Sequence, residues 1–355
     1  MITQKTILLV DDEPVNLQFL RSALENDYDL KFARNGEIAL QAARDFKIDL
    51  ILLDIQMPDK DGYQVCKELK NDPGTENIPV IFVTVLGDEV NEVKGFDLGA
   101  VDYLHKPISP HVTRKRIETH LSLVRARDLE QSQKAAIYML GAAGHFNDSD
   151  TGVHIWRMAE YSSILAEAAG LTADRVQEVN LAAAMHDTGK IGVPENILKA
   201  PRQLTPVERN IIETHTVIGS AILKKGNTDL FDLAAIIARS HHERWDGDGY
   251  PDGLKGEEIP EAARIVAIAD VFDALTMIRP YKKAWSVERA VAYLKEHAGT
   301  HFDSRLVDCF VIAIPQIIES KERWGVKENK VELDTEPKSQ FRKLAEGSRS
   351  IGGYL

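Results

Sequence analysis

The chain is poor in cysteine: only Cys66 and Cys309, far apart, occur in 355 residues. Two distant thiols cannot build a disulfide framework, which excludes the small stapled scaffolds of secreted proteins and fits a reducing cytosol. Long apolar runs are missing too. No stretch approaches the roughly 20 residues that a membrane span needs. The first five residues lead directly into a strand-like run, without the pattern of a signal peptide. A soluble, cytoplasmic protein with no membrane insertion is expected. A basic excess is also lacking: 43 Lys and Arg stand against 55 Asp and Glu, a net charge of -12. That excludes a nucleic-acid polymer as the main partner, because phosphate-binding surfaces need the opposite balance. A small anionic ligand stays open, since a metal with a few Arg or Lys overrides net charge locally.

What is present begins with length and a hydrophobic content of 44%, enough for two cores. Over residues 1–107, strand-like runs at 7–10, 30–33, 50–53, 80–84 and 101–104 alternate with helix-length amphipathic stretches. Five such units predict an α/β domain, a doubly wound five-stranded parallel sheet with helices on both faces. Beyond about residue 145 the strand pattern stops and an all-α domain is expected to about residue 318. Residues 108–144 join the two. Ile117, Leu121 and Val124 recur there at helical spacing. The segment reads either as a last helix running into a polar linker or as a signalling helix that also forms a homodimer. Residues 319–355 are charged and low in apolar residues, and a poorly ordered tail is expected.

In a parallel sheet, functional groups gather beyond the carboxyl ends of the strands. Asp11 and Asp12 follow the first strand, Asp54 ends the third, Thr84 the fourth, and Lys106 follows the fifth. Three carboxylates converging there call for a hard cation such as Mg²⁺. Asp54 can act as a nucleophile toward a phosphoryl donor, with Lys106 and Thr84 to meet the incoming oxygens. The segments Leu9-Val10-Asp11-Asp12-Glu13, Asp54-Ile55-Gln56-Met57-Pro58, Thr84 and Asp102-Tyr103-Leu104-His105-Lys106-Pro107 resemble the receiver domain of two-component signalling. The resemblance implies that a cognate sensor histidine kinase phosphorylates Asp54, and that Thr84 and Tyr103 move together in response. Val85 departs from the family, which usually has a smaller residue after the threonine.

Histidines carry the chemistry of the second half. Of 11, five stand in a spaced set: His154, His186, His215 and the adjacent His241-His242, with Asp187 and Asp270. Imidazole and carboxylate together suit borderline divalent metals. His186-Asp187 is read as lying on an apolar helix that begins at Leu181, with Lys190 one turn further on and free to grip a phosphate oxygen. Asp187 can bridge two metals, one oxygen to each, and such a pair can drive an in-line displacement at phosphorus. His145 is read as structural, and Glu243 and Arg244 as supporting or surface residues.

Residues 145–315 resemble the HD-GYP group of the HD metal-dependent phosphohydrolases. The resemblance rests on His186-Asp187-Thr188-Gly189-Lys190, on His241-His242-Glu243-Arg244-Trp245-Asp246-Gly247-Asp248-Gly249-Tyr250-Pro251, on Ala269-Asp270-Val271-Phe272-Asp273-Ala274-Leu275, and on Arg279-Pro280-Tyr281. It implies hydrolysis of cyclic di-GMP to the linear dinucleotide pGpG or on to GMP. It implies metal ligands at His154, His186, Asp187, His215, His241, His242 and Asp270, with His186, Asp187 and Lys190 as the catalytic group. Lys190, Arg279 and Lys282 would hold phosphate or guanine, and Tyr250 would shape the pocket wall. Iron or manganese is favoured, ahead of nickel, cobalt or zinc. Members with a third metal carry Glu four residues before the first histidine; Asp150 stands there and is one methylene shorter. Two metals are therefore expected, with three as the alternative. Two other readings remain: a module that binds a cyclic dinucleotide or a protein without hydrolysis, and a phosphohydrolase of another nucleotide.

Overall fold

The structure, a computed structural model, describes residues 4–85, 89–144, 152–277 and 284–334. The chain forms two compact units, Met1–Ser132 and Gln133–Leu355.

In the first unit, β1 (Thr6–Val10), β2 (Asp29–Ala33), β3 (Leu50–Asp54), β4 (Val80–Val85) and β5 (Asp102–Lys106) alternate with α1 (Pro14–Leu24), α2 (Gly36–Asp45), α3 (Gly62–Asn71) and α4 (Glu89–Asp97). All strand pairings are parallel, in the order β2-β1-β3-β4-β5. Every residue of β3 is buried, as its unbroken run of four apolar residues requires of a strand covered on both faces. Alternation along the strands splits the core into two layers. Leu8, Val10, Ile51, Leu53 and Phe82 pack with Ala39, Leu40, Val65 and Leu69 of α2 and α3. Ile7, Leu9, Leu50, Leu52 and Ile81 pack with Leu17, Leu20 and Leu24 of α1 and with Ile117. Each such aliphatic side chain contributes roughly 1.5–3 kcal/mol by burial. Asn35 and Asp61 cap the starts of α2 and α3 by accepting from the Ile38 and Gln64 amides. The register sets Asp54 opposite Val83 and Thr84 opposite His105, which brings the chemically active positions to one sheet edge.

The second unit is helical: α6 (Gly152–Ala168), α7 (Ala173–Ala183), α8 (Glu195–Leu198), α9 (Pro206–Leu223), α10 (Asp229–Ser240), α11 (Glu261–Thr276), α12 (Val287–Glu296), α13 (Ser304–Ile312) and α14 (Ile314–Asp334). One core runs through it, from Ile155 and Tyr161 of α6 through Ile237 and Phe272 to Phe310 and Ile317. Before it comes α5 (Pro110–Gly144), within which the boundary between the units falls. Ile117 belongs to the core of the first unit, and Ile137 to that of the second.

Two expectations about boundaries are corrected. The helical unit begins near residue 133 rather than 145, because Ile137 is buried in its core and Tyr138 stacks on Trp156 with ring centroids 3.4 Å apart. The segment from 319 is not a poorly ordered tail throughout. Helix α14 continues to Asp334. Ile317 and Ser320 are fully buried, and Trp324 Nε1 donates to Glu160 Oε2. Its charge masks an apolar stripe at positions 314, 317 and 324, which lies at helical spacing. Residues 335–355 lie outside the described residues. Among those described, no helix is long and apolar enough to cross a membrane.

Candidate active site

The first unit gathers Asp11, Asp12 and Asp54 so that one oxygen of each lies within 4.8 Å of the others, an arrangement able to hold a cation. Lys106 Nζ donates to Asp54 Oδ2 at 2.7 Å and to Asp11 Oδ2 at 3.1 Å. Asn16 and the Glu13 amide hold the other oxygen of Asp11. Burial pushes the Asp54 carboxyl up from the ordinary range; Lys106 opposes this and Asp11 adds to it. Burial would lower Lys106, but its two carboxylate partners raise it, so it stays charged. Thr84 Oγ1 donates to the Val85 carbonyl, and the Val85 side chain is exposed. Tyr103 is buried between Phe82 and Phe96, at ring distances of 5.4 and 5.2 Å.

The second unit brings together all seven predicted metal-site residues. They fall into two donor sets: Asp187, His215, His241 and His242, and His154, His186 and Asp270. Asp187 stands between them. Its Oδ1 lies 3.2 Å from His215 Nε2 and 3.7 Å from His241 Nε2, while its Oδ2 lies 3.2 Å from His186 Nε2. Asp270 Oδ1 is 3.9 Å from His154 Nε2 and 4.0 Å from His186 Nε2.

The protein fixes these imidazoles through their other nitrogen. Nδ1 of His186 lies 2.9 Å from the Ala183 carbonyl, that of His215 2.7 Å from Ile212 O, and that of His241 3.0 Å from Ala238 O. A carbonyl only accepts, so Nδ1 carries the proton and Nε2 turns a lone pair toward the cluster. Burial, reinforced by neighbouring imidazoles, holds His241 and His242 well below the ordinary histidine value, keeping them neutral. Neutral imidazoles and carboxylates within bridging reach are a donor set that fits a pair of divalent cations.

His186-Asp187 does not lie on a helix, as the apolar run suggested. Helix α7 ends at Ala183, and the pair occupies the turn before a 3-10 segment, Thr188–Gly192. The turn lets Lys190 fold back, with Nζ 2.7 Å from Asp187 Oδ2. It also exposes backbone to the last turns of α5. A Cβ added to Gly141 would lie 2.3 Å from the Ala184 carbonyl, and one on Gly144 would lie 2.7 Å from Thr188 Cα and 2.9 Å from Asp187 O. Only glycine permits that approach.

Sequence reasoning missed one buried carboxylate and left a second between a supporting and a surface role. Asp273 Oδ2 lies 2.5 Å from His154 Nδ1, and Arg157 grips the same carboxylate through Nε and Nη2. Burial would raise Asp273, yet His154 and Arg157 hold it well below the usual carboxylate range. Its position three residues after Asp270 on α11 was the available signal. Glu243, expected to be a supporting or surface residue, is only 2% exposed and accepts from the amides of Asp252 and Leu254. Tyr250 lies over His242, with ring centroids 4.9 Å apart. Burial and then nearby carboxylates push its hydroxyl up, so it remains a donor at neutral pH. Asp150, Arg279, Lys282 and His145 lie outside the described residues.

Comparison with known proteins agrees with this division. A model of the response regulator receiver domain matches residues 7–118, and one of the HD domain matches residues 118–306. A Vibrio cholerae serotype O1 protein named probable cyclic di-GMP phosphodiesterase is 38% identical over 362 residues, covering 92% of this chain and 82% of its own. The cyclic di-GMP phosphodiesterase response regulator RpfG of Xanthomonas campestris pv. campestris is 37% identical, covering 86% of each chain. A 3'3'-cGAMP-specific phosphodiesterase 2 of Vibrio cholerae is 39% identical over 181 residues, covering 51% of this chain and 35% of its own.

Proposed function

We propose that this chain, which belongs to the family of cyclic di-GMP phosphodiesterase response regulators, hydrolyses cyclic di-GMP under the control of phosphorylation at Asp54. The observation that carries the reading is the placement of Asp187, whose two oxygens face two separate sets of imidazoles. When bound, a metal pair supplies polarisation of a phosphodiester and activation of water for in-line attack. The donors accept borderline divalent metals; the family resemblance favours iron or manganese, with nickel, cobalt or zinc as alternatives. Mg²⁺ suits the oxygen donors Asp11, Asp12 and Asp54.

The residues then divide the work. His154, His186, His215 and His241 hold the site with lone pairs fixed by their other nitrogen, His242 adds a neutral imidazole, and Asp187 and Asp270 supply negative charge. Lys190, already within reach of Asp187, meets a non-bridging phosphate oxygen. Tyr250 forms a wall at the His242 side, and Arg279 and Lys282 take guanine or phosphate. With two metals, the linear dinucleotide pGpG accumulates first and GMP follows slowly. Asp150, one methylene shorter than the glutamate of three-metal members, disfavours a third metal, and three metals stays the alternative.

Regulation runs from Asp54, phosphorylated by a cognate sensor histidine kinase, through Thr84, Tyr103 and Lys106 to α5. The close approach of Gly141 and Gly144 to the His186-Asp187 turn supports that route. The sign is activation. A homodimer along this helix would have to use positions other than Ile117 and Leu121, which pack into the core of the first unit.

The test is turnover by purified metal-loaded protein, with cyclic di-GMP and 3'3'-cGAMP offered in parallel and the products separated by chromatography. Cyclic di-GMP should be cleaved in preference to the mixed dinucleotide. Binding without cleavage would leave a sensor module, and preference for 3'3'-cGAMP would reassign the substrate; either refutes the reading.

A further inference from the structure

Immediately after the paired histidines stands a carboxylate that belongs to neither donor set. Glu243 is buried, and a buried carboxylate is costly unless its oxygens are met by donors. They are met by backbone alone. Oε1 accepts from the Asp252 amide at 2.8 Å, and Oε2 from the Leu254 amide at 3.1 Å. One side chain thereby gathers the far end of a ten-residue excursion back to its start. Three further contacts close the same loop. The Tyr250 amide donates to the His242 carbonyl at 3.3 Å. Arg239 of α10 grips Asp252 through Nε and Nη2, both at 2.7 Å. Gly249 lies so close to the chain at Glu243 that an added Cβ would sit 2.5 Å from Glu243 Cα. Among these contacts, only the Glu243 bonds combine burial with charge, and they therefore dominate the loop's energetics.

What the closure fixes is Tyr250. Its ring lies tilted against His242 at 4.9 Å and 6.4 Å from His215. An aromatic wall beside these two imidazoles is a surface on which a ligand's planar group can rest. A side chain on a long loop would lose that placement without an anchor, because the rotational freedom it regained would have to be lost again on binding.

We propose that Glu243 is a positioning residue for substrate affinity: it clamps the loop at Asp252 and Leu254 and thereby holds the Tyr250 ring against His242. It acts on ligand binding, not on metal loading or on the bond-breaking step. This rests on the proposed cyclic dinucleotide activity, yet its anchoring half can be read without substrate.

The experiment uses the full-length protein with Glu243→Gln, Glu243→Ala, Tyr250→Ala and the Glu243→Gln/Tyr250→Ala pair. Glutamine is isosteric, but its NH₂ must face at least one of the backbone amides that Glu243 accepts from, so a bond is lost and the fold is kept. Hydrogen exchange read by mass spectrometry on peptides covering residues 248–256 should quicken by about tenfold in Glu243→Gln, the loss of roughly one hydrogen bond. With cyclic di-GMP, the KM of Glu243→Gln should rise about fivefold and that of Glu243→Ala more, with kcat and metal content held near wild type. The paired variant should be no worse than Tyr250→Ala alone, since residues acting through one another are not additive. Unchanged exchange in Glu243→Gln overturns the anchoring, whether or not the protein turns over cyclic di-GMP. An unchanged KM, a loss of metal, or multiplied effects in the pair overturns the positioning role. Wild-type protein inactive toward cyclic di-GMP but with the quickened exchange in Glu243→Gln would refute the substrate assignment and support the anchor.

Discussion

Asp273 Oδ2 and His154 Nδ1 lie 2.5 Å apart, and both residues are buried. The carboxylate sets the tautomer and aim of an imidazole that reaches the smaller donor set, and Arg157 holds the carboxylate in turn. Such outer partners commonly set metal affinity within roughly 10–100-fold. Asp273→Asn is expected to lower affinity at that set by about this factor. It should also destabilise the helical unit by roughly 3–5 kcal/mol, because the buried Arg157 cation loses its counter-charge. Metal titration and chemical denaturation read the two effects separately. A variant that binds metal as wild type does would remove Asp273 from the site.

Asp187→Ala takes away the group that faces both donor sets. We expect at least one metal fewer per chain and no measurable hydrolysis, with the helical circular dichroism retained. Elemental analysis decides it, and full occupancy in the variant would be incompatible with a bridging role.

The pH response of metal-free protein follows from His241, which burial, reinforced by its neighbours, holds below the ordinary histidine value. The unfolded chain then takes up a proton that the folded chain refuses. The associated stability is fully present above the unfolded value and is lost as pH falls from there toward the folded one. The slope should approach 1.4 kcal/mol per pH unit for this group below about pH 6.5. Urea titrations between neutrality and about pH 5 measure it, with His241→Gln as the flatter control. Equal slopes in the two proteins would count against the buried neutral imidazole.

Asp54→Asn should abolish the response of turnover to acetyl phosphate while leaving basal hydrolysis intact. In wild-type protein the same donor should raise turnover. A wild-type protein indifferent to phosphorylation, or a variant that still responds, would refute the coupling.

Gly144→Ala tests the route. The new Cβ would be placed 2.7 Å from Thr188 Cα, and overpacking of this kind costs about 1–3 kcal/mol. Turnover should fall by about tenfold and lose its response to acetyl phosphate, although Asp54 still takes up the phosphoryl group. Unaltered activation in this variant would show that the signal travels elsewhere.

The fold was legible where periodicity was strong. All five strands were expected within two residues of their observed limits, because double-sided burial writes itself as unbroken runs such as that of β3. The seven residues that the family resemblance marks as metal ligands lie far apart in the chain, and the helical unit brings them into two neighbouring donor sets. Less visible was which ordinary charges turn inward. Asp273, Arg157 and Glu243 look like surface residues in composition, and only three-dimensional contact reveals that each is buried beside a partner. Local geometry was also misjudged at His186-Asp187, where a run of alanines promised helix but the chain turns. The boundary at 145 failed for a related reason. Tyr138 and Ile137 sit in a stretch whose polar neighbours read as linker, yet they pack into the second core.

That last arrangement has a bearing on how such proteins are assembled from parts. Because the final turns of α5 are built into the core and press on the His186-Asp187 turn, the portable module is the helical unit together with its incoming helix, from about Gln133 onward. A recombination event, or an engineer's fusion, that cut at 145 would deliver the metal site without Gly141 and Gly144 and without the ring that stacks on Trp156. A cut before Gln133 would carry the donor sets, Gly141, Gly144 and the Tyr138 ring across as one heritable piece.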